Sequence, residues 1–107
     1  MYARVTTVEI DTVRIGVEEA VAAYREEFVP RLGEQEGYEG VLVFATPDGK
    51  GLVITLWDSE EAARAGTDEE GGVYTEAISR FMTVFRAPPG RGHYELAFSD
   101  VPTLSSG

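Results

Sequence analysis

Apolar positions follow two different periods along this chain, and the places where one gives way to the other predict its elements. Residues 2–10 alternate loosely and hold Val5, Thr6, Thr7, Val8 and Ile10, a β-branched content that predicts a strand. From 17 to 35 the period becomes helical. Val17, Val21, Tyr24, Phe28 and Leu32 form one stripe, while Glu18, Glu19, Arg25 and Glu26 fall elsewhere. Pro30 lies inside this pattern and has no N–H to donate to the Glu26 carbonyl, so a kink or a loosened last turn is expected there. Gly37-Tyr38-Glu39-Gly40 then stops the helix and turns the chain.

Two short β-rich runs, 41–46 and 52–57, flank Pro47-Asp48-Gly49-Lys50-Gly51, which is hairpin chemistry. Trp57 passes with almost no loop into Asp58-Ser59-Glu60-Glu61-Ala62-Ala63, which predicts a capped helix. Asp58 would accept from the first-turn N–H groups, and Glu61 would answer back to the Asp58 N–H. The helical region is interrupted near Gly66-Thr67-Asp68 and Gly71-Gly72. Its second part carries Val73, Tyr74, Ala77, Ile78, Phe81, Met82 and Phe85, and Ala87-Pro88-Pro89-Gly90 ends it. His93 to Phe98 reads as a final strand and Thr103 to Gly107 as a frayed tail.

The order β-α-β-β-α-β predicts an α+β, ferredoxin-like fold, one antiparallel sheet with two helices on one face. The middle strands add a constraint. Val41-Leu42-Val43-Phe44-Ala45 and Leu52-Val53-Ile54 are apolar at consecutive positions, hence on both faces of the sheet. Two helices cover one face only, so a homodimer that buries the other face against a second sheet is expected.

Length and charge narrow the reading further. At 107 residues the chain is expected to be one domain, 1–107, with 99–107 as a flexible tail. No apolar stretch approaches the roughly 18 residues of a membrane span, and Met1-Tyr2-Ala3-Arg4 opens no apolar signal core. The cytoplasm is the expected compartment, with no membrane partner. The absence of cysteine excludes disulfides, iron–sulfur clusters and thiolate zinc. A net charge of −10, with nine scattered lysines and arginines, argues against nucleic acid. Glu27–Arg31, Glu60–Arg64 and Glu76–Arg80 are spaced as helix-surface ion pairs. One histidine, and an Asp68-Glu69-Glu70 run that reads as solvated, make no spaced ligand set, so no metal is expected. No P-loop, dinucleotide fingerprint or nucleophile elbow is present, and no cofactor is expected.

The chain resembles the antibiotic biosynthesis monooxygenase family, within the dimeric α+β barrel superfamily. The resemblance spans roughly residues 2–98. It rests on the first strand, Phe28-Val29-Pro30-Arg31-Leu32, the Gly37-Tyr38-Glu39-Gly40 turn, the hairpin and above all Val53-Ile54-Thr55-Leu56-Trp57-Asp58-Ser59-Glu60-Glu61-Ala62. It implies an apolar cavity between sheet and helices and, in some members, cofactor-independent oxygenation of aromatic polyketides. Trp57 matches a tryptophan that lines the cavity in active members. A histidine that members often carry about nine residues later is replaced here by Gly66. In the haem-degrading branch the iron-ligating histidine falls at Ile78, and the first-strand asparagine has no counterpart, so haem degradation is disfavoured.

A cofactor-free oxygenase needs a small apolar or aromatic ligand held in a dry pocket of roughly 300 Å³ or more, with groups that help deprotonate it. Trp57 would supply a stacking wall or an N–H donor. Tyr74 and Tyr24 would bring phenolic hydroxyls, and Arg4, Arg86 and His93 would stabilise an anion, with His93 or Arg4 assisting proton transfer. Each has a duller role open to it: Trp57, Tyr24 and Tyr74 as core aromatics, Arg4 in a surface ion pair and His93 at the surface. The rival to the oxygenase is a non-catalytic small-ligand-binding or structural protein on the same fold. Phe28, Phe81, Met82 and Phe85 filling the cavity would favour that rival.

Overall fold

The computed structural model describes residues 1–67 and 72–101. The elements run in the order β1 (Tyr2–Glu9), α1 (Val17–Glu27), α2 (Val29–Leu32), β2 (Tyr38–Ala45), β3 (Lys50–Trp57), α3 (Glu60–Thr67), α4 (Val73–Phe81) and β4 (Gly90–Glu95), with a 3₁₀ turn at Met82–Val84. The four strands make one sheet in the order β2-β3-β1-β4, antiparallel at every step, as the ferredoxin-like order requires. The acidic run 68–70 and the tail 103–107 lie outside the described residues.

Pro30 divides the first helical stripe into α1 and α2. Phe28 stands between the two, its N–H donating to the Tyr24 carbonyl at 2.9 Å while its own carbonyl accepts from Leu32 at 2.9 Å. The break costs little, because Pro30 falls in the first turn of the second helix, where an N–H would have no partner. It also redirects the surface ion pairs. Glu60–Arg64 forms within α3 at 2.8 Å as spaced, but Arg80 reaches across to Glu27 at 3.0 Å and Arg31 pairs with Glu76. Two of the three expected pairs therefore join α1 and α2 to α4 instead of decorating single helices. Each is exposed and contributes at most about 1 kcal/mol.

The junction after Trp57 is capped one residue later than the sequence suggests. Ser59, not Asp58, is the cap: its Oγ accepts from the Ala62 N–H at 3.1 Å. The Asp58 N–H is engaged elsewhere, donating to the Gly37 carbonyl at 2.8 Å. The last strand also starts earlier than expected, at Gly90, because Gly90 and Gly92 pair with Thr7 and Val5 of β1. His93 is thus a mid-strand residue opposite Arg4.

Register sorts the side chains into rows, since residues directly opposite in a ladder share a face. One row runs Tyr38, Trp57, Tyr2 and Glu95; the next Val41, Thr55, Arg4 and His93; the third Val43, Val53, Thr6 and Arg91. This face meets the helices. Trp57, with no exposed surface, packs in a core of Phe28, Leu32, Ala63, Val73, Ala77 and Phe81. Tyr38 meets its ring edge-on at 5.7 Å. The opposite face carries Leu42, Phe44, Leu52, Ile54 and Leu56, with Phe44 55% exposed.

Gly37 ties the turn before β2 to the start of α3. It has a φ of +83°, and a Cβ there would lie 2.5 Å from both Ala62 Cβ and Asp58 Oδ1. Gly37→Ala is expected to destabilise the fold by about 2 kcal/mol or more, whereas Gly16→Ala, which meets no neighbouring atom within 4 Å, stays within about 1 kcal/mol. Urea unfolding midpoints at constant slope measure both.

Candidate functional site

The helix-covered face is closed at one end and hollow at the other. Trp57, Tyr2, Tyr38, Phe28 and Leu32 fill the end where β3 finishes. Toward the β2–β3 hairpin the facing residues are Val43, Ala45, Gly51 and Val53 from the sheet and Val17, Ala20, Val21 and Ala77 from the helices. Short side chains on both sides do not meet across the gap, and a cavity of about 100 Å³ remains between them. Phe81 and Phe85 form one wall, and Lys50 stands at the hairpin end. Met82, which the helical stripe places inward, is instead 51% exposed, because the chain passes into a 3₁₀ turn there.

The cavity is smaller than the roughly 300 Å³ of a pocket that encloses a whole drug-sized ligand. It is not sealed, since Val43, Ala45 and Lys50 on its lining are solvent-exposed. A flat ligand would be held by one edge and emerge beside the hairpin.

Apart from Lys50, the polar side chains on the described lining are four hydroxyls: Thr6, Thr55, Tyr24 and Tyr74. Thr6 and Tyr74 are within hydrogen-bond distance of one another at 3.3 Å. Thr55 accepts from the Trp57 indole N–H at 3.0 Å. Burial raises the Tyr24 pKa far above the usual phenol range, with Tyr38 and Tyr74 nearby adding to the effect. Tyr24 is therefore a neutral phenol at any physiological pH, able to donate a hydrogen bond but not to act as a phenolate base.

The residues singled out from sequence stand at different depths around this space. Tyr74 and Tyr24 line it. Trp57 does not, and borders it through Thr55, the residue to which its indole is bonded. Arg4 is not in a surface ion pair: it is 2% exposed, on the helix-facing side of β1, with its guanidinium stacked 4.4 Å from the Tyr74 ring centre. Its Nη1 lies 2.7 Å from His93 Nε2. A guanidinium has only donors, so the imidazole Nε2 accepts and the ring proton sits on Nδ1. Arg4 and His93 thus form a layer behind Tyr74. Arg86 is exposed and pairs loosely with Glu9 at 3.9 Å, away from the cavity. Ile78, where the haem-degrading relatives place their iron ligand, contributes an apolar side chain to the lining.

Thr55 and Thr6 escape a sequence reading, because threonine in a strand is ordinary β-former chemistry. One signal was present: Thr55 lies two residues before Trp57 in the same strand, hence on the same face.

No protein-family model and no curated protein sequence matches the chain. Solved structures do match it in three dimensions. An antibiotic biosynthesis monooxygenase superposes with a TM-score of 0.70 at 15% identity, covering 91% of this chain and 99% of the other. A monooxygenase from the ActVA-Orf6 gene of Streptomyces coelicolor, in complex with nanaomycin D, gives 0.70 at 21% identity, covering 95% and 92%. SnoaB, a cofactor-independent oxygenase from Streptomyces nogalater, gives 0.69 at 12% identity, covering 95% and 97%. Likeness at such identities carries architecture and not activity. On that ground the chain has the α+β fold of the antibiotic biosynthesis monooxygenases.

Proposed function

We propose that this protein is a cofactor-independent monooxygenase acting on a small aromatic or polyketide-like compound. The observation that carries the reading is the apolar cavity with hydroxyls as its main polar groups, set between sheet and helices of a fold shared with two oxygenases. An acidic phenol or anthrone needs little help to ionise. Its electron-rich anion reacts with dioxygen directly, one oxygen atom entering the ring carbon and the other leaving as water at the expense of two C–H bonds. The protein's part is to hold the ring, exclude water and stabilise the developing oxyanion. Tyr74 is placed to donate to that oxygen, with Arg4 stacked on its ring and His93 behind Arg4. Trp57 belongs to the same assembly through Thr55.

One observation favours the non-catalytic rival, a small-ligand-binding protein. Among the described residues the cavity lining holds no carboxylate and no imidazole to take the substrate's proton. On this reading the cavity binds and releases its ligand unchanged.

The partner is a second copy of the same chain. Leu42, Phe44 and Ile54 lie on the sheet face without helices, and an apolar face of that kind is stable in water when another sheet covers it. No helix among the described residues is long and apolar enough to cross a membrane, and the working compartment of the proposal is the cytoplasm.

Two measurements test these points. Oxygen uptake with anthrone above the uncatalysed rate is expected, and Tyr74→Phe is expected to lower kcat/KM by roughly tenfold, the effect of one hydrogen bond to the oxyanion. Binding without oxygen uptake would leave the ligand-binding reading standing in place of the enzyme. In sedimentation the protein is expected to travel with the mass of two chains at micromolar concentration, and Phe44→Glu to travel as one chain. A wild-type monomer defeats the dimer.

A further inference from the structure

The Trp57–Thr55 contact has a direction, and the direction restricts what the cavity recognises. An indole N–H is a donor and has no acceptor capacity, so at 3.0 Å the Thr55 oxygen must be the acceptor. What Thr55 then has left for a partner is its own proton. Thr55 is 5% exposed and lines the cavity, so that proton is available to a ligand and hardly to bulk water. A hydroxyl already accepting a hydrogen bond is polarised into a better donor.

The second hydroxyl pair agrees. Thr6 and Tyr74 share one hydrogen bond at 3.3 Å, and whichever of them donates, one proton of the pair is left over. Thr6 stands opposite Val53, one row along from the row of Thr55, so both spare protons border the same space. Tyr24, kept as a neutral phenol by burial, adds another donor. The described lining has no side-chain carboxylate or amide to receive a proton from a ligand. A ligand whose polar group is a hydrogen-bond acceptor satisfies this set, whereas a ligand with only a donor meets hydroxyl lone pairs already engaged.

We propose that Thr55 is the specificity-determining residue of the cavity, donating its hydroxyl proton to an acceptor oxygen on an otherwise apolar ring, a ring ketone or its enolate. Trp57 is a positioning residue that acts on the ligand through Thr55. This assignment rests on the small-ligand reading of the cavity. It gives the buried tryptophan a role in recognition that needs no contact with the ligand, and a role for the indole N–H distinct from its contribution to the core.

Two probes of nearly equal shape, 1-indanone and indane, separate recognition of the carbonyl from burial of the ring. Titration of the isotope-labelled protein, followed by NMR, gives both dissociation constants. The wild type is expected to prefer the ketone by about tenfold, the value of one buried hydrogen bond of about 1.4 kcal/mol. Thr55→Val, which keeps the shape and removes the proton, brings the ratio to about one, and Thr55→Ser restores most of it. Trp57→Phe lowers the ratio about threefold and changes nothing when added to Thr55→Val, a dependence that a purely structural tryptophan would not show. The chain has a single tryptophan, so the wild type supplies an independent reading that requires no core substitution. Its one indole N–H resonance shifts with 1-indanone and much less with indane. Equal binding of the two probes by the wild type, or a ratio unchanged in Thr55→Val, overturns the assignment while leaving the cavity intact as a ligand site. An indole resonance that responds alike to both probes overturns the positioning role of Trp57. Failure of either probe to bind removes the small-ligand reading, and this assignment with it.

Discussion

A buried indole has to place a large apolar surface and one N–H at the same time, and the architecture follows from how Trp57 does both. Its ring lies at the end of β3, met edge-on by Tyr38 and enclosed by helical residues Phe28, Leu32 and Ala63. Burying such a ring is worth on the order of 5 kcal/mol of gross hydrophobic stabilisation. The N–H finds its acceptor two residues back in the same strand, on Thr55, so no water or distant polar group is needed inside the core. Both demands are met on one face of one strand. That leaves the chain free to turn at once into α3 under the Ser59 cap.

The large side chains gather at that end of the sheet, and this is the reason the other end is hollow. Row by row toward the hairpin, the facing residues shrink to valine, alanine and glycine, while α1 and α4 offer valines and alanines in return. Helices held at a fixed distance by the bulky end do not collapse onto small residues at the other. Cross-helix ion pairs from Glu27 to Arg80 and from Arg31 to Glu76 connect the same helices on the outer surface. The cavity is thus a consequence of where volume is spent, and Thr55 stands on the boundary between the filled and hollow halves.

Buried charge is arranged with the same economy. Arg4 sits on the middle row of the sheet between Thr55 and His93, a position that alternation alone reads as ordinary strand. Its guanidinium covers the Tyr74 ring and donates to the imidazole, so the cation stands behind the hydroxyl layer and outside the apolar space. The cavity is left with neutral donors on its wall. A neutral wall suits a ligand whose charge, if any, develops during reaction.

Much of the fold was legible in the chain, because it rests on local physics. Alternation and β-branching placed β1, β2 and β3. Pro30 broke the first helix where its missing N–H requires, and Asp48-Gly49 marked the hairpin. Errors came where two local signals competed. Asp58 and Ser59 are both good caps, and the choice fell to Ser59 because the Gly37 turn takes the Asp58 N–H. Arg31 and Arg80 have glutamates at the right spacing, yet a neighbouring helix offers other carboxylates. The site was less legible, since which hydroxyl meets which donor is a matter of angstroms between strands and helices far apart in sequence. By itself the sequence determined the elements, their order and the faces on which Trp57, Thr55 and Arg4 must lie, because periodicity is a property of the backbone. Only the tertiary structure decided that Trp57 fills the core, that Thr55 borders the cavity, and that Arg4 reaches His93 behind Tyr74. Those outcomes depend on volumes and distances that arise when the helices come to rest on the sheet.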